Sequence, residues 1–377
     1  MEIPFNKPFI SGKEKDYLSE LIHSNHKLSG DGVFTSKCSS ELKRITNASK
    51  VLLTTSCTHA LEMSALLIDI QPGDEVIMPS FTFVSSANPF VLRGARIVFV
   101  DVRPDTMNLD EKLVEMAITS NTKAIVPIHY AGVAAEMNFL MDLAEKYGLW
   151  VIEDAAQCID AFFENKHLGT IGHLGTISFH DTKNLHCGEG GCLLVNDPRL
   201  VQKAEIIREK GTNRSLFLRG EIDKYTWVDR GSSYLPSELN TAFLLAQLEH
   251  LEDVTSERRS LWRRYRDGLS ELIEDGRIEI QKVEEDTRHN GHIFYIKLRN
   301  LEERDSLIRY LRTQDIHAVF HYVPLHSAIA GREYGYFSGL DNFTTRESER
   351  LVRLPLWKDM PKESIDHICS LIDEFLH

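Results

Sequence analysis

Short apolar runs of strand length recur through the first two hundred residues, at 51–54, 75–79, 97–101, 124–128, 149–153, 176–180 and 192–195. Between several of them the apolar positions fall at helical spacing, as in 58–69 and 136–147. Near-continuous apolar strands alternating with helices predict a mainly parallel, seven-stranded sheet covered on both faces, an α/β domain. Turn residues punctuate the scheme: Pro72-Gly73-Asp74 ends a helix before one strand, and Arg93-Gly94 precedes another. Farther along, 237–269 reads as a long, charge-rich helical stretch that leaves the sheet. It is followed by an apolar run at 293–298, a helix near 304–313 and a terminal helix over 362–375. The expected division is a large α/β domain over 1–250 and a smaller α+β domain over 251–377.

Composition narrows the class of partner. The chain has 377 residues, 42% of them hydrophobic, enough for a substantial core. Its 43 Lys and Arg against 56 Asp and Glu give a formal charge of -13, the wrong sign for neutralising phosphate chains, so no nucleic-acid partner is expected. The opening residues lack a basic start followed by an apolar stretch, and no apolar run approaches the ~20 residues that span a bilayer. No membrane association is expected, and the predicted location is the cytoplasm. Six cysteines stand without a CxxC pair and sixteen histidines without an HExxH pattern, so neither a disulfide framework nor a metal site is signalled.

In open α/β sheets ligands gather beyond the carboxyl ends of the strands, which directs attention to three places. The first is Thr54-Thr55-Ser56-Cys57-Thr58-His59, where a strand ends in hydroxyl residues and a helix begins. Free N–H groups and the dipole of a helix start favour an anion such as phosphate, with Ser56 and Thr58 as further donors. An ordinary N-cap reads the same way in sequence. The second is Asp154, closing the run Leu149-Trp150-Val151-Ile152-Glu153. A carboxylate there loses hydration and stays charged only beside a cationic or donor partner: a protonated pyridine nitrogen, a salt bridge or a helix cap. The third is Lys183, shortly after the run at 176–180 and just before Gly188-Glu189-Gly190-Gly191. Such a lysine can form a Schiff base, and the bland alternative is a solvated surface side chain. Together a phosphate cradle, an acid for a ring nitrogen and a lysine for an aldehyde are the attachments that pyridoxal 5′-phosphate (PLP) requires.

Longer segments carry a family resemblance. Glu153-Asp154-Ala155-Ala156-Gln157, Ser178-Phe179-His180-Asp181-Thr182-Lys183 and Gly188-Glu189-Gly190-Gly191 resemble the sugar aminotransferases of the DegT/DnrJ/EryC1/StrS family. So do GDGVFT from Gly30, QPGDEVIMPSFTFVSSAN from Gln71, EKGTNRSLFLRG from Glu209, VFHYVPLH from Val319 and ESERLVRLPL from Glu347, covering nearly the whole chain. The resemblance implies an aminotransferase of fold type I. In it Lys183 carries PLP and moves the proton, Asp154 pairs with the pyridine nitrogen, Gln157 lies near the phenolic oxygen and Phe83 stacks on the ring. Cys57 and Thr58 would offer donors to the phosphate, joined by Ser178. It further implies a homodimer with shared active sites, glutamate as amino donor and C4 of dTDP-4-keto-6-deoxyglucose as acceptor. The product would be dTDP-4-amino-4,6-dideoxygalactose, destined for surface polysaccharide.

Two departures stand out. Many relatives place a Tyr-Asn pair near 231–238 to reach the neighbouring subunit's phosphate, where this chain has Gly231-Ser232-Ser233-Tyr234-Leu235-Pro236. Ser232 or Ser233 is the candidate substitute. After Gln157 the chain reads Cys158-Ile159-Asp160 in place of small residues, which predicts a different pocket wall. Lys210, Arg214 and Arg219 are candidates for the sugar's diphosphate, with solvated charges as the alternative. His321, Tyr322 and His326 are candidate pocket residues, with structural roles as the alternative. The competing functions are the gluco epimer as product, a PLP sugar dehydratase, and a ligand-sensing regulator without catalysis. The dehydratases of this group carry histidine at the Schiff-base position, whereas this chain keeps Lys183.

Overall fold

A computed structural model describes residues 2–24 and 27–377. All seven apolar runs become strands of one sheet: β1 Lys50–Thr54, β2 Glu75–Pro79, β3 Arg96–Val100, β4 Thr122–Ile125, β5 Trp150–Asp154, β6 Leu174–Ser178 and β7 Gly191–Val195. An eighth strand, β8 Gly335–Phe337, lies on the outer edge beside β3, with Gly335 opposite Ile97. Three residues are too few to show a period, which is why the pattern predicts seven strands and the sheet has eight. The order across the sheet is β1-β7-β6-β5-β4-β2-β3-β8. Only β7 runs against its neighbours, so the sheet is mainly parallel as predicted.

Helices cover both faces because both faces are apolar. Leu52, Val76, Met78, Ile152 and Leu193 pack with Ala60, Leu61 and Met63 of the helix Cys57–Leu67 on one side. Ile77, Val98, Ile125 and Val151 meet Leu140, Leu143 and Ala144 of the helix Met137–Tyr147 on the other. The long helical stretch over 237–269 is two helices, Glu238–Leu248 and Leu251–Gly268, broken at Glu249 and His250. The break redirects the chain. Leu244, Leu245, Leu248 and Val254 still belong to the core of the sheet, whereas Leu261, Trp262 and Tyr265 enter a second core with Phe294, Ile296, Ile365 and Ile368.

That second core surrounds a three-stranded sheet of Glu279–Ile280, Phe294–Lys297 and Leu351–Leu354, flanked by the helices Leu301–Thr313 and Lys362–Leu376. Ile3 packs into it as well and bridges to Ile316. Among the described residues, no helix is long and apolar enough to cross a membrane, and no cluster of His, Cys, Asp or Glu is arranged to hold a metal ion.

Candidate active site

The carboxyl ends of β1, β5 and β6 open into a cavity of ≈ 800 Å³, where segments near 292 and 320 complete the wall. Eight of the nine residues expected at the cofactor line it: Ser56, Cys57, Thr58, Phe83, Asp154, Gln157, Ser178 and Lys183.

At β1 the chain turns directly into the helix Cys57–Leu67. Ser56 is its N-cap: the side-chain oxygen accepts from His59 N–H at 3.1 Å, so the cap reading holds. That bond uses a lone pair and leaves the hydroxyl proton for a ligand. The N–H groups of Cys57 and Thr58 make no hydrogen bond among the described residues, which is the donor set an anion needs. Thr58 Oγ1 lies 2.8 Å from Ser85 Oγ, a further hydroxyl in the wall. Burial pushes the Cys57 thiol up to about 12, so it remains protonated.

β7 approaches this turn closely. A Cβ at Gly191 would lie 2.5 Å from the Ser56 carbonyl carbon, so only glycine lets the two segments meet. Gly191→Ala is therefore expected to displace the Ser56-Cys57 turn, costing about 1–3 kcal/mol of stability and loosening PLP. Thermal melting, and cofactor absorbance after dialysis, check both effects.

At β5 the strand alternation sorts two adjacent carboxylates. Glu153 points away from the cavity, fully buried, where it accepts from Gly169 and Ile171 N–H at 2.7 Å and lies 2.9 Å from His129 Nε2. Asp154, 6% exposed, faces the cavity. Among the described residues its oxygens accept only from neutral donors, Ser86 Oγ at 2.6 Å and Ala156 N–H at 3.1 Å. Thr82 Oγ1 supports Ser86 in turn at 2.7 Å. A carboxylate held by neutral groups, without a protein cation, suits a protonated ring nitrogen.

Lys183 sits in the connection between β6 and β7, which is tied across its base by Phe179 N–H to Gly190 O and Cys187 N–H to Phe179 O. The side chain is half-buried and makes no ion pair or hydrogen bond among the described residues. Burial pulls its ammonium below the ordinary lysine range. Cys57, Asp154 and Cys158 oppose the drop, and Arg353 adds to it. A depressed lysine offers more of the neutral amine that attacks a carbonyl.

Gln157 is oriented by its neighbours: Oε1 accepts from Ala131 N–H at 2.6 Å, and Nε2 reaches Tyr322 Oη at 3.4 Å. The amide N–H groups are thus turned to the cavity, as contact with a phenolic oxygen requires. Phe83 is 56% exposed and lines the cavity, its ring centroid 6.3 Å from that of Tyr322. Ser178 Oγ accepts from His180 N–H at 3.3 Å and borders the anion turn.

The substrate candidates separate. His321 and Tyr322 line the cavity, stacked on each other at 3.5 Å between centroids. His326 lies outside it, 2.7 Å from Ser80 Oγ and 3.2 Å from Asp341, fastening the 320s segment to the end of β2. Ser80 is buried and accepts from His326 N–H, so this serine, histidine and aspartate do not form an accessible nucleophile. Lys210, Arg214 and Arg219 also lie away from the cavity, paired with Glu209, Glu209, and Glu205 plus Glu221 respectively. Ser233 is exposed and bridges to Glu209.

Several cavity residues were not singled out from sequence. Ser85 and Ser86 follow Phe83 in the segment from Gln71, where no spacing sets them apart from other hydroxyl residues. His292, Arg258 and Arg353 come from the second core. Arg258 spends its donors on Gly291 O and His292 O, and burial lowers it to about 10. Arg353 donates to Phe320 O at 3.1 Å and lies 4.7 Å over the Phe5 ring, while its buried Nε has no partner among the described residues. No local spacing could have shown these contacts, since each joins segments far apart in sequence.

The donor turn, the unpaired acid, the amine of lowered basicity and the glycine passage fit PLP. Bound there, PLP supplies an aldehyde for an amine and an electron-withdrawing ring. Fold and site define a PLP-dependent aminotransferase of fold type I. The sequence model of the DegT/DnrJ/EryC1/StrS aminotransferase family matches residues 8–373, and the chain belongs to this family of sugar aminotransferases.

Solved structures agree over the full length. A DegT DnrJ EryC1 StrS aminotransferase from Brucella abortus is 29% identical, with 97% of this chain and 96% of that one covered and a TM-score of 0.88. DesV of S. venezuelae, solved in complex with a ketimine intermediate, is 27% identical over 100% and 99% of the chains with a TM-score of 0.89. The aminotransferase TlmJ from Streptoalloteichus hindustanus reaches a TM-score of 0.91 at 25% identity, again over 100% and 99%.

Proposed function

We propose that this enzyme transfers an amino group from glutamate to C4 of dTDP-4-keto-6-deoxyglucose, giving dTDP-4-amino-4,6-dideoxygalactose. The observation that carries the reading is the convergence of the Lys183 amine, the Asp154 carboxylate and the donor turn at Cys57 on one cavity of ≈ 800 Å³. That volume lies within the range of sites that enclose a cofactor and a sizeable ligand. The motif-level resemblance described from sequence supports the choice of sugar and nucleotide.

In this reading Lys183 would hold the cofactor through its amine, and the same amine would carry the proton at the reacting carbon. Asp154 would pair with the ring nitrogen, Gln157 would donate to the phenolic oxygen and Phe83 would stack on the ring. Ser56, Cys57, Thr58 and Ser178 hold the phosphate. Arg353, a guanidinium with no carboxylate partner among the described residues, takes a carboxylate of the amino donor. His321 and Tyr322 contact the sugar, and His326 holds their segment in place.

The working unit is a homodimer. Phe217, Leu218, Tyr225, Trp227 and Val228 form an exposed apolar stretch, with Trp227 77% exposed, on the same segment as Lys210, Arg214, Arg219 and Ser233. Covered by a second copy, this stretch brings the three cations and Ser233 to the neighbouring cavity, where the diphosphate and the cofactor phosphate need charge and donors.

The test is incubation with PLP, glutamate and dTDP-4-keto-6-deoxyglucose, followed by NMR of the product. The galacto product has an equatorial hydrogen at C4 and small couplings to its neighbours, whereas the gluco epimer has large diaxial couplings. Release of one 2-oxoglutarate per amino sugar is expected. Loss of a sugar hydroxyl without amination would mark a dehydratase, and no turnover would mark a ligand sensor.

A further inference from the structure

Two histidines line the cavity, His292 and His321, at 9% and 8% exposure, and each has one ring nitrogen committed to the protein. His292 Nδ1 lies 2.8 Å from Asn184 Oδ1. The Asn184 amide cannot be turned over, because its Nδ2 donates to Asn290 O at 3.1 Å. Its Oδ1 is therefore an acceptor, His292 carries its proton on Nδ1, and Nε2 is a bare lone pair. That Nε2 makes no hydrogen bond among the described residues.

His321 is fixed the other way. Its Nδ1 lies 2.8 Å from Tyr130 Oη, and Tyr130 is fully buried with no other partner for its hydroxyl among the described residues. Burial drives that phenol far above its ordinary range, so it keeps its proton and donates it. His321 Nδ1 accepts, and Nε2 carries the hydrogen.

Both rings are neutral. Burial pushes each well below the ordinary histidine range, reinforced at His292 by Lys183, Arg258 and Arg353, and at His321 by Arg353, Lys183 and His292. One cavity thus holds two uncharged imidazoles locked in opposite tautomers, one presenting an acceptor and the other a donor. The complement of that pair is a hydroxyl beside a carbonyl.

We propose that His292 and His321 together read the hydroxy-ketone edge of the sugar, His292 accepting from the hydroxyl on the carbon next to the keto carbon and His321 donating to the keto oxygen. The inference rests on the keto-sugar reading above and names two positioning residues for it. Asn184 directly follows Lys183, so the clip that fixes the His292 tautomer also ties the acceptor to the segment bearing the amine.

The test uses the holoenzyme after borohydride reduction, so that equilibrium binding is read without turnover. Titration calorimetry compares dTDP-4-keto-6-deoxyglucose with its 3-deoxy analogue. The reduced wild-type protein should bind the hydroxylated sugar about tenfold more tightly, the worth of one hydrogen bond of about 1.4 kcal/mol. In His292→Ala that preference should vanish. In His321→Ala both sugars should weaken by the same factor and the preference should remain, because the keto oxygen is common to both.

Asn184→Asp provides a second variant that leaves the histidine in place. A carboxylate at that position favours the protonated ring, which has no lone pair to offer, and the preference should again vanish. Retention of the tenfold preference in both His292→Ala and Asn184→Asp would overturn the inference, as would an equal loss on both sugars in His292→Ala, the signature of a structural role. Failure of the wild-type protein to bind either keto sugar would instead overturn the substrate reading itself.

Discussion

Replacing Lys183 with alanine is expected to lower turnover by about 10⁴-fold or more, since positioned proton transfer alone contributes about 10²–10⁴-fold and the same change removes the covalent attachment. The fold should survive the substitution. The Lys183 side chain makes no hydrogen bond among the described residues, and its loop is closed by backbone bonds between Phe179 and Gly190 and between Cys187 and Phe179. Circular dichroism and melting temperature should therefore match the parent while the absorbance band of attached cofactor disappears. Single-turnover formation of 2-oxoglutarate measures the loss. Turnover within tenfold of the parent would show that the amine at 183 is not the reacting group.

Asp154→Asn should have the second-largest effect, a fall in kcat on the order of 10²–10³-fold, as for removal of one preorganised electrostatic contact. Asparagine nearly matches the shape of aspartate, so the strand end and the Ser86 contact at 2.6 Å persist in outline. The lost quantity is charge. Two opposite unit charges about 4 Å apart attract by about 4 kcal/mol at the effective dielectric of a protein site, which is the scale of the expected fall. The cofactor should remain bound through Lys183 and the donor turn, with its absorbance shifted toward the unprotonated ring. Loss of cofactor with unchanged kcat per bound PLP would assign Asp154 to retention alone.

Much of this site was readable before any coordinates because its main groups lie at strand ends, and strands announce themselves locally. Val51 to Thr54, the run at 149–153 ahead of Asp154 and the run at 176–180 ahead of Lys183 are each of strand length, and the residues that follow them converge on one cavity. Ser56 illustrates how two readings of one residue are compatible: its lone pair caps the helix while its proton stays free for an anion. The three-residue strand Gly335–Phe337 left no trace in the pattern, because it is stabilised by pairing with Arg96–Val100, more than two hundred residues earlier.

The same separation hid the groups that tune the site. Ser86 meets a carboxylate 68 residues away, and His292 meets an amide 108 residues away. Neither contact has a period or a spacing. Charge alone does not place a site: within one chain Lys210, Arg214 and Arg219 pair with Glu205, Glu209 and Glu221. Arg353 gives no local signal because it sits inside an otherwise apolar strand, and only the fold shows its buried Nε without a partner among the described residues.

In the proposed function one amine, that of Lys183, bonds the cofactor opposite the Asp154 carboxylate. Borohydride reduction of the purified holoenzyme, followed by proteolysis and mass spectrometry of the peptides, tests it directly. The account predicts a single pyridoxyl-phosphate mass addition on Lys183 and none in Lys183→Ala. Labelling of another lysine, or a reduced holoenzyme with Lys183 unmodified, would contradict it.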